Sequence, residues 1–132
     1  MSLGRLIDLP SFDDRRGSLI AIEGLKDISF NIQRIYYIFN CESRASRGFH
    51  AHKDLEQLAI SVRGRCDIML DDGEQRETVS LTSPRKGLLI GAMTWREIHN
   101  FSDDCVLLVL ASQHYDESDY IRDYNEFLAK LR

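Results

Sequence analysis

Large apolar residues alternate with polar or small ones over many short stretches, and turn residues interrupt the pattern every few positions. A period of two is the signature of strands with one buried face. On this basis strands are expected over 6–9, 18–23, 32–39, 58–62, 66–70, 76–81, 87–90, 95–101 and 105–112. The run Ile32-Gln33-Arg34-Ile35-Tyr36-Tyr37-Ile38-Phe39 is rich in the β-branched and aromatic residues that favour pleated surfaces. Asp13-Asp14-Arg15-Arg16-Gly17 reads as a polar turn, and Asp71-Asp72-Gly73 as a tight hairpin. Many short strands with turns between them predict a sandwich or barrel rather than βαβ units. The C-terminal stretch has a different period. Tyr120, Tyr124, Phe127, Leu128 and Leu131 fall at helical spacing, and Ser118 stands where a cap would. The expected class is therefore all-β, with a short C-terminal helix packed by one face.

The length of 132 residues predicts one domain, large enough to bury a core without staples. A net charge of -4, with both signs mixed along the chain, leaves no basic stripe for nucleic acid. The longest apolar runs, 87–91 and 105–111, are too short to cross a bilayer as helices. Acidic Asp8 and then Pro10 interrupt any leader pattern at the N-terminus. Cys41, Cys66 and Cys105 are odd in number and lack Cys-x-x-Cys spacing, which argues against a disulfide framework or a zinc ribbon. Packed thiols of this kind fit a reducing cytoplasm.

The chemistry concentrates in Gly48-Phe49-His50-Ala51-His52-Lys53-Asp54-Leu55-Glu56-Gln57. On a strand, His50 and His52 share a face, roughly 6.5–7 Å apart. Two such imidazoles hold a metal, move protons, or serve as structural hydrogen-bonding groups at a rim. The stretch resembles the first cupin motif, a His-x-His pair followed by glutamate and glycine, with Gln57 where the glutamate belongs and Gly64 closing it. The run from Gly91 to Asn100 resembles the second motif, with Arg96 at the third histidine position. This resemblance implies a double-stranded β-helix, the jelly-roll type of barrel. It also implies a weak metal site, since a guanidinium has no lone pair to give. Glu56 in place of Gln57, or His99 swinging inward, would repair the ligand set, so a metal-dependent cupin oxygenase remains one alternative.

Several further runs narrow the resemblance. They are Asp14–Gly17 before Ser18-Leu19-Ile20-Ala21-Ile22-Glu23, then Gln33–Ile38, Arg47–Lys53, Leu70–Gly73, Leu110–Ser112 and Tyr115–Tyr124. Together they make the chain similar to the dTDP-4-keto-6-deoxyglucose 3,4-ketoisomerases from about Leu6 to Phe127. That resemblance implies a metal-free and cofactor-free cupin homodimer. It would act on a dTDP-linked 4-keto-6-deoxyhexose and move the ketone from C4 to C3 through an enediol. The products of such enzymes feed 3-amino-3,6-dideoxy sugars of surface polysaccharides. A related dTDP-sugar epimerase is the second alternative. The resemblance assigns the carbon base to His50. His52 would relay oxygen protons or hold the enediolate, and Tyr36 would donate to it. Arg16, Arg34 and Arg47 are the candidates for the diphosphate, where the arginine fork suits phosphate oxygens. Lys53 is a further phosphate candidate or an exposed lysine, and Gln57 would line the cavity. Trp95 and Tyr37 either stack on thymine or pack in the core; His99 and His114 are expected to be structural. Relatives often carry histidine where this chain has Arg96.

Overall fold

Residues 57–63 are unbroken by polar side chains apart from Gln57, Ser61 and the terminal Arg63, because the strand they form has apolar layers on both faces. Ala59 points into the space between two sheets, while Leu58 and Ile60 point outward beneath the N-terminal third of the chain. The computed structural model describes residues 3–132. Its strands are β1 (Arg5–Asp8), β2 (Ser11–Asp14), β3 (Gly17–Ile20), β4 (Arg34–Ile38), β5 (Arg47–His52), β6 (Gln57–Arg63), β7 (Cys66–Asp71), β8 (Arg76–Leu81), β9 (Lys86–Ile90), β10 (Trp95–His99), β11 (Val106–Ala111) and β12 (Tyr120–Ile121). One helix, α1 (Tyr124–Lys130), follows.

Two five-stranded antiparallel sheets face each other, in the orders β1-β9-β6-β11-β4 and β12-β5-β10-β7-β8, with β2-β3 as a separate hairpin. This is the expected all-β jelly-roll barrel with its short C-terminal helix. The core between the sheets includes Ile68, Leu70, Leu81, Leu88, Leu107 and Val109. Leu9, Ile28 and Phe30 cover the outer face of the first sheet. Ile121 and Phe127 cover the outer face of the second, against Ala51 and Trp95. Among the described residues no helix is long and apolar enough to cross a membrane.

The expected strands are present with ends shifted by up to a few residues, and 18–23 shortens to Gly17–Ile20. The C-terminal region differs more. Ser118 does not cap the helix. Residues Glu117–Asp119 make a single 3-10 turn, Tyr120–Ile121 pair with β5, and the α-helix starts at Tyr124. Asp123 is the cap, accepting the Glu126 amide. Tyr120 thus belongs to a strand, and its helical spacing from Tyr124 is a coincidence of register.

Phe127 is fully buried and clamps β12 to β5 through Ile121 and Ala51. Phe127→Ala is expected to cost ~3–5 kcal/mol of stability, read as a lowered urea midpoint. An unchanged midpoint would show that the helix is only loosely docked.

Candidate active site

The two histidines owe their orientation to a bulge. Along β10 and β5 the pairing moves from Arg96↔His50 to Glu97↔Gly48, so Phe49 is an extra residue on β5. Both Gly48 (φ 88°) and Phe49 (φ 58°) are left-handed, and a Cβ on Gly48 would lie 3.0 Å from the Arg96 carbonyl oxygen. Bulges of this kind re-aim side chains beside functional sites. Beyond it, His50 and His52 stand side by side with ring centroids 4.9 Å apart, and Tyr120 packs against both, 5.0 Å and 4.3 Å away.

The opposite sheet supplies a row in register: Arg34 on β4, Ala111 on β11 and Gln57 on β6. The small Ala111 leaves space between the two larger side chains. Arg34 lies over the Tyr36 ring at 5.3 Å and the Tyr115 ring at 5.6 Å. A chain of donors crosses the barrel floor. Arg96 donates to the Thr94 carbonyl at 3.0 Å and to Gln57 Oε1, and Gln57 Nε2 donates to the Tyr36 hydroxyl at 3.0 Å. Tyr36 accepts there, so its own O–H is free for the cavity. That cavity, of about 460 Å³, is lined by Arg34, Tyr36, Arg47, His50, Tyr120 and Arg122 among others. Arg34 Nε and Nη2, His50 Nδ1 and His52 Nε2 are buried without any protein partner. Buried polar atoms are normally paired, so this group is poised for a ligand.

Burial, then the Arg96 cation, lowers the His50 pKa to about 4, and the same two causes lower that of His52. Both rings are neutral at neutral pH. Burial raises the Tyr36 pKa, against the pull of Arg96 and the Gln57 hydrogen bond. Arg96, only 2% exposed, forms no ion pair among the described residues, although Asp119 stands near enough to favour its charge. Around the two histidines, among the described residues, stand two cations, Arg34 and Arg96, and the carboxylate of Asp119, a balance that favours an anion. The donor set does not fit a divalent metal: Arg96, at the third histidine position, gives no lone pair, and the Gln57 carbonyl oxygen is already bound to it. Glu56 is exposed and does not replace Gln57. His99 is held by Ser46 and Glu97 at the rim rather than turned inward.

Of the residues expected from sequence, the fold brings together His50, His52, Tyr36, Arg34, Gln57 and Arg47. Arg16 sits instead on the β2–β3 turn, highly exposed and paired with Asp14 at 2.7 Å. Lys53 faces a neighbouring open depression that also contains His114. Trp95 is buried against Tyr124 and Phe127, and Tyr37 projects from the outer face of the sheet, so neither stacks in the cavity. Sequence reasoning missed Asp119, Tyr120 and Arg122, and noted Arg96 only as a departure. No local pattern in Asp119-Tyr120-Ile121 signals the strand that pairs with β5.

The family model described as FdtA, WxcM-like, C-terminal, matches residues 3–132. The chain belongs to this family. A TDP-4-oxo-6-deoxy-alpha-D-glucose-3,4-oxoisomerase from Aneurinibacillus thermoaerophilus is 50% identical over 93% of this chain and 88% of its own. A 3,4-ketoisomerase from Helicobacter canadensis superposes with a TM-score of 0.95 at 48% identity, covering 97% of this chain and 96% of that one. A histidine-to-asparagine mutant of the 3,4-ketoisomerase QdtA from Thermoanaerobacterium thermosaccharolyticum, in complex with TDP-4-keto-6-deoxyglucose, gives 0.96 at 40% identity over 99% of this chain and 95% of that one. These three relatives are all named as sugar 3,4-ketoisomerases or oxoisomerases.

Proposed function

We propose that the protein is a dTDP-4-keto-6-deoxyhexose 3,4-ketoisomerase working by metal-free acid–base chemistry. The observation that carries this reading is a neutral imidazole, His50, lining a cavity beside the half-buried Arg34, with Arg96 buried beneath. The C4 ketone acidifies the C3 hydrogen. His50 removes that proton, leaving an enediolate whose charge is met by Arg34 and by the Tyr36 hydroxyl. Fixed donors of this sort are each worth ~3–4 kcal/mol at a developing oxyanion. His50 exchanges its proton with solvent and delivers one to C4, while the hydroxyl proton moves from O3 to O4. Atoms balance, with no oxidant and no cofactor. Arg47 at the cavity mouth, with Arg122 beside it, suits the diphosphate.

The 50% identical relative named as an oxoisomerase supports this reading over the epimerase alternative. Incubation with dTDP-4-keto-6-deoxyglucose in deuterated water, followed by NMR, tests it. The expected product is a 3-keto sugar carrying deuterium at C4, formed equally well after EDTA treatment. A product that keeps its 4-keto group would mean an epimerase, and loss of turnover on chelation would mean a metal enzyme.

The working unit is a homodimer. Ile35 and Tyr37 on edge strand β4 and Phe39 just after it are exposed, as are Phe12 and Leu19 along the β2–β3 hairpin, which gives a second copy apolar surface to cover. Sedimentation at the mass of a single chain would refute the dimer. Three free thiols favour the cytoplasm, and recovery of the chain from an oxidising compartment would refute that.

A further inference from the structure

His52 is fully buried and does not line the cavity wall with His50, yet its Nε2 has no partner. Its other nitrogen is heavily constrained. Nδ1 lies 3.0 Å from Asp119 Oδ2, and Asp119 Oδ1 accepts the Asp54 amide at 2.9 Å. The Asp119 backbone is held as well: its amide donates to the Asp116 carbonyl at 3.1 Å, and its carbonyl accepts from the Lys53 amide at 3.0 Å. Both carboxylate oxygens are taken and the group cannot rotate.

A carboxylate only accepts, so the His52 Nδ1 facing it must carry the hydrogen. The lone pair is then on Nε2, inside the barrel. We propose that Asp119 is a positioning residue that fixes His52 as the Nδ1–H tautomer, so that Nε2 is the proton acceptor behind His50. This rests on the ketoisomerase reading and adds a division of labour to it. The isomerisation moves two protons, one between carbons and one between oxygens. His50 lines the cavity and handles the first. The second passes from O3 to His52 Nε2 by way of the groups that line the cavity in front of it, and returns to O4 by the same route. In the interval His52 is an imidazolium whose charge is matched by Asp119, while Nδ1–H never leaves its partner. Without Asp119 the buried ring has nothing to select its tautomer, and Arg96 opposes its charging.

Asp119→Asn makes the proposal decisive, because the Asp54 amide dictates the orientation of the new side chain. The asparagine carbonyl must accept from Asp54, which turns its NH₂ toward His52 Nδ1. That nitrogen must then accept, and the hydrogen moves to Nε2. The expected results are an inverted imidazole pattern in long-range ¹H–¹⁵N NMR of the resting enzyme and a kcat lowered ~10²–10⁴-fold with KM little changed. Asp119→Ala guards against a variant that fails for structural reasons. Asp119 borders the open depression beside Lys53 and Ser118, so added formate can reach the vacated place and is expected to restore turnover. An Asn variant that retains the wild-type tautomer, or inverts it at full kcat, overturns the proposal, as does an Ala variant that melts normally but ignores formate. The tautomer switch in a protein that never converts the keto sugar would uphold the role of Asp119 and defeat the ketoisomerase reading instead.

Discussion

His50→Asn is expected to lower kcat/KM by ~10²–10⁴-fold, the usual contribution of a general acid–base group, while the barrel stays folded. The asparagine amide is close to imidazole in size but does not accept a proton near neutrality. His50 Nδ1 makes no well-formed hydrogen bond, and the Gly48 backbone beside the ring is within reach of the asparagine amide. The fold is held elsewhere, by the apolar layers between and outside the sheets. Full activity in this variant would place the base elsewhere. The wild-type pH profile gives an independent check. Burial and Arg96 hold the His50 pKa at about 4, below its ordinary 6.5, so the neutral base persists well into acid. The acid limb of kcat/KM is expected near that lower value. Stability carries the same sign. The unfolded chain binds the His50 proton more readily than the folded one, so this contribution is complete above 6.5 and is lost as the pH falls toward 4.

Much of the architecture was legible because period two is a local property. β4 shows Arg34, Tyr36 and Ile38 on one face, and the histidine pair on β5 follows the same rule. What could not be read depends on register between distant strands. Asp119 meets His52 across 67 positions, and Arg96 meets Gln57 across 39. Neither pairing leaves a local trace. The bulge at Gly48–Phe49 is visible only as a glycine until β10 is placed against it. The C-terminus misled for a physical reason: Tyr120 and Ile121 continue an apolar spacing that α1 uses, so a two-residue strand looks like one more helical turn. The better signal was Asp123 followed three positions later by Glu126, a cap and its first-turn acid, which places the start of the helix after the strand. The histidine face was thus readable early, and its carboxylate support was not.

Arg96→Met is expected to lower kcat ~10²–10³-fold, the scale of losing one preorganised electrostatic donor, and to move KM far less. Arg96 is buried beneath the site rather than at its mouth, so it bears on the reacting centre more than on the nucleotide. Two routes carry its effect. Through Gln57 it fixes the amide that donates to Tyr36, leaving the tyrosine O–H aimed at the substrate oxygen. Through its field it keeps both imidazoles neutral and favours the enediolate. Removing the cation deletes the second-largest cause of the His50 shift but leaves burial in force, so the acid limb should rise above about 4 without reaching 6.5. Thermal stability should change little. Stranding the Thr94 carbonyl and the Gln57 amide costs ~1–3 kcal/mol, and this is offset by no longer burying a charge without a carboxylate partner. A fall in kcat with an unmoved acid limb would assign the whole effect to the Gln57–Tyr36 route. Wild-type turnover with an unmoved limb would reduce Arg96 to a space-filling residue and leave the enediolate to Arg34 and Tyr36 alone.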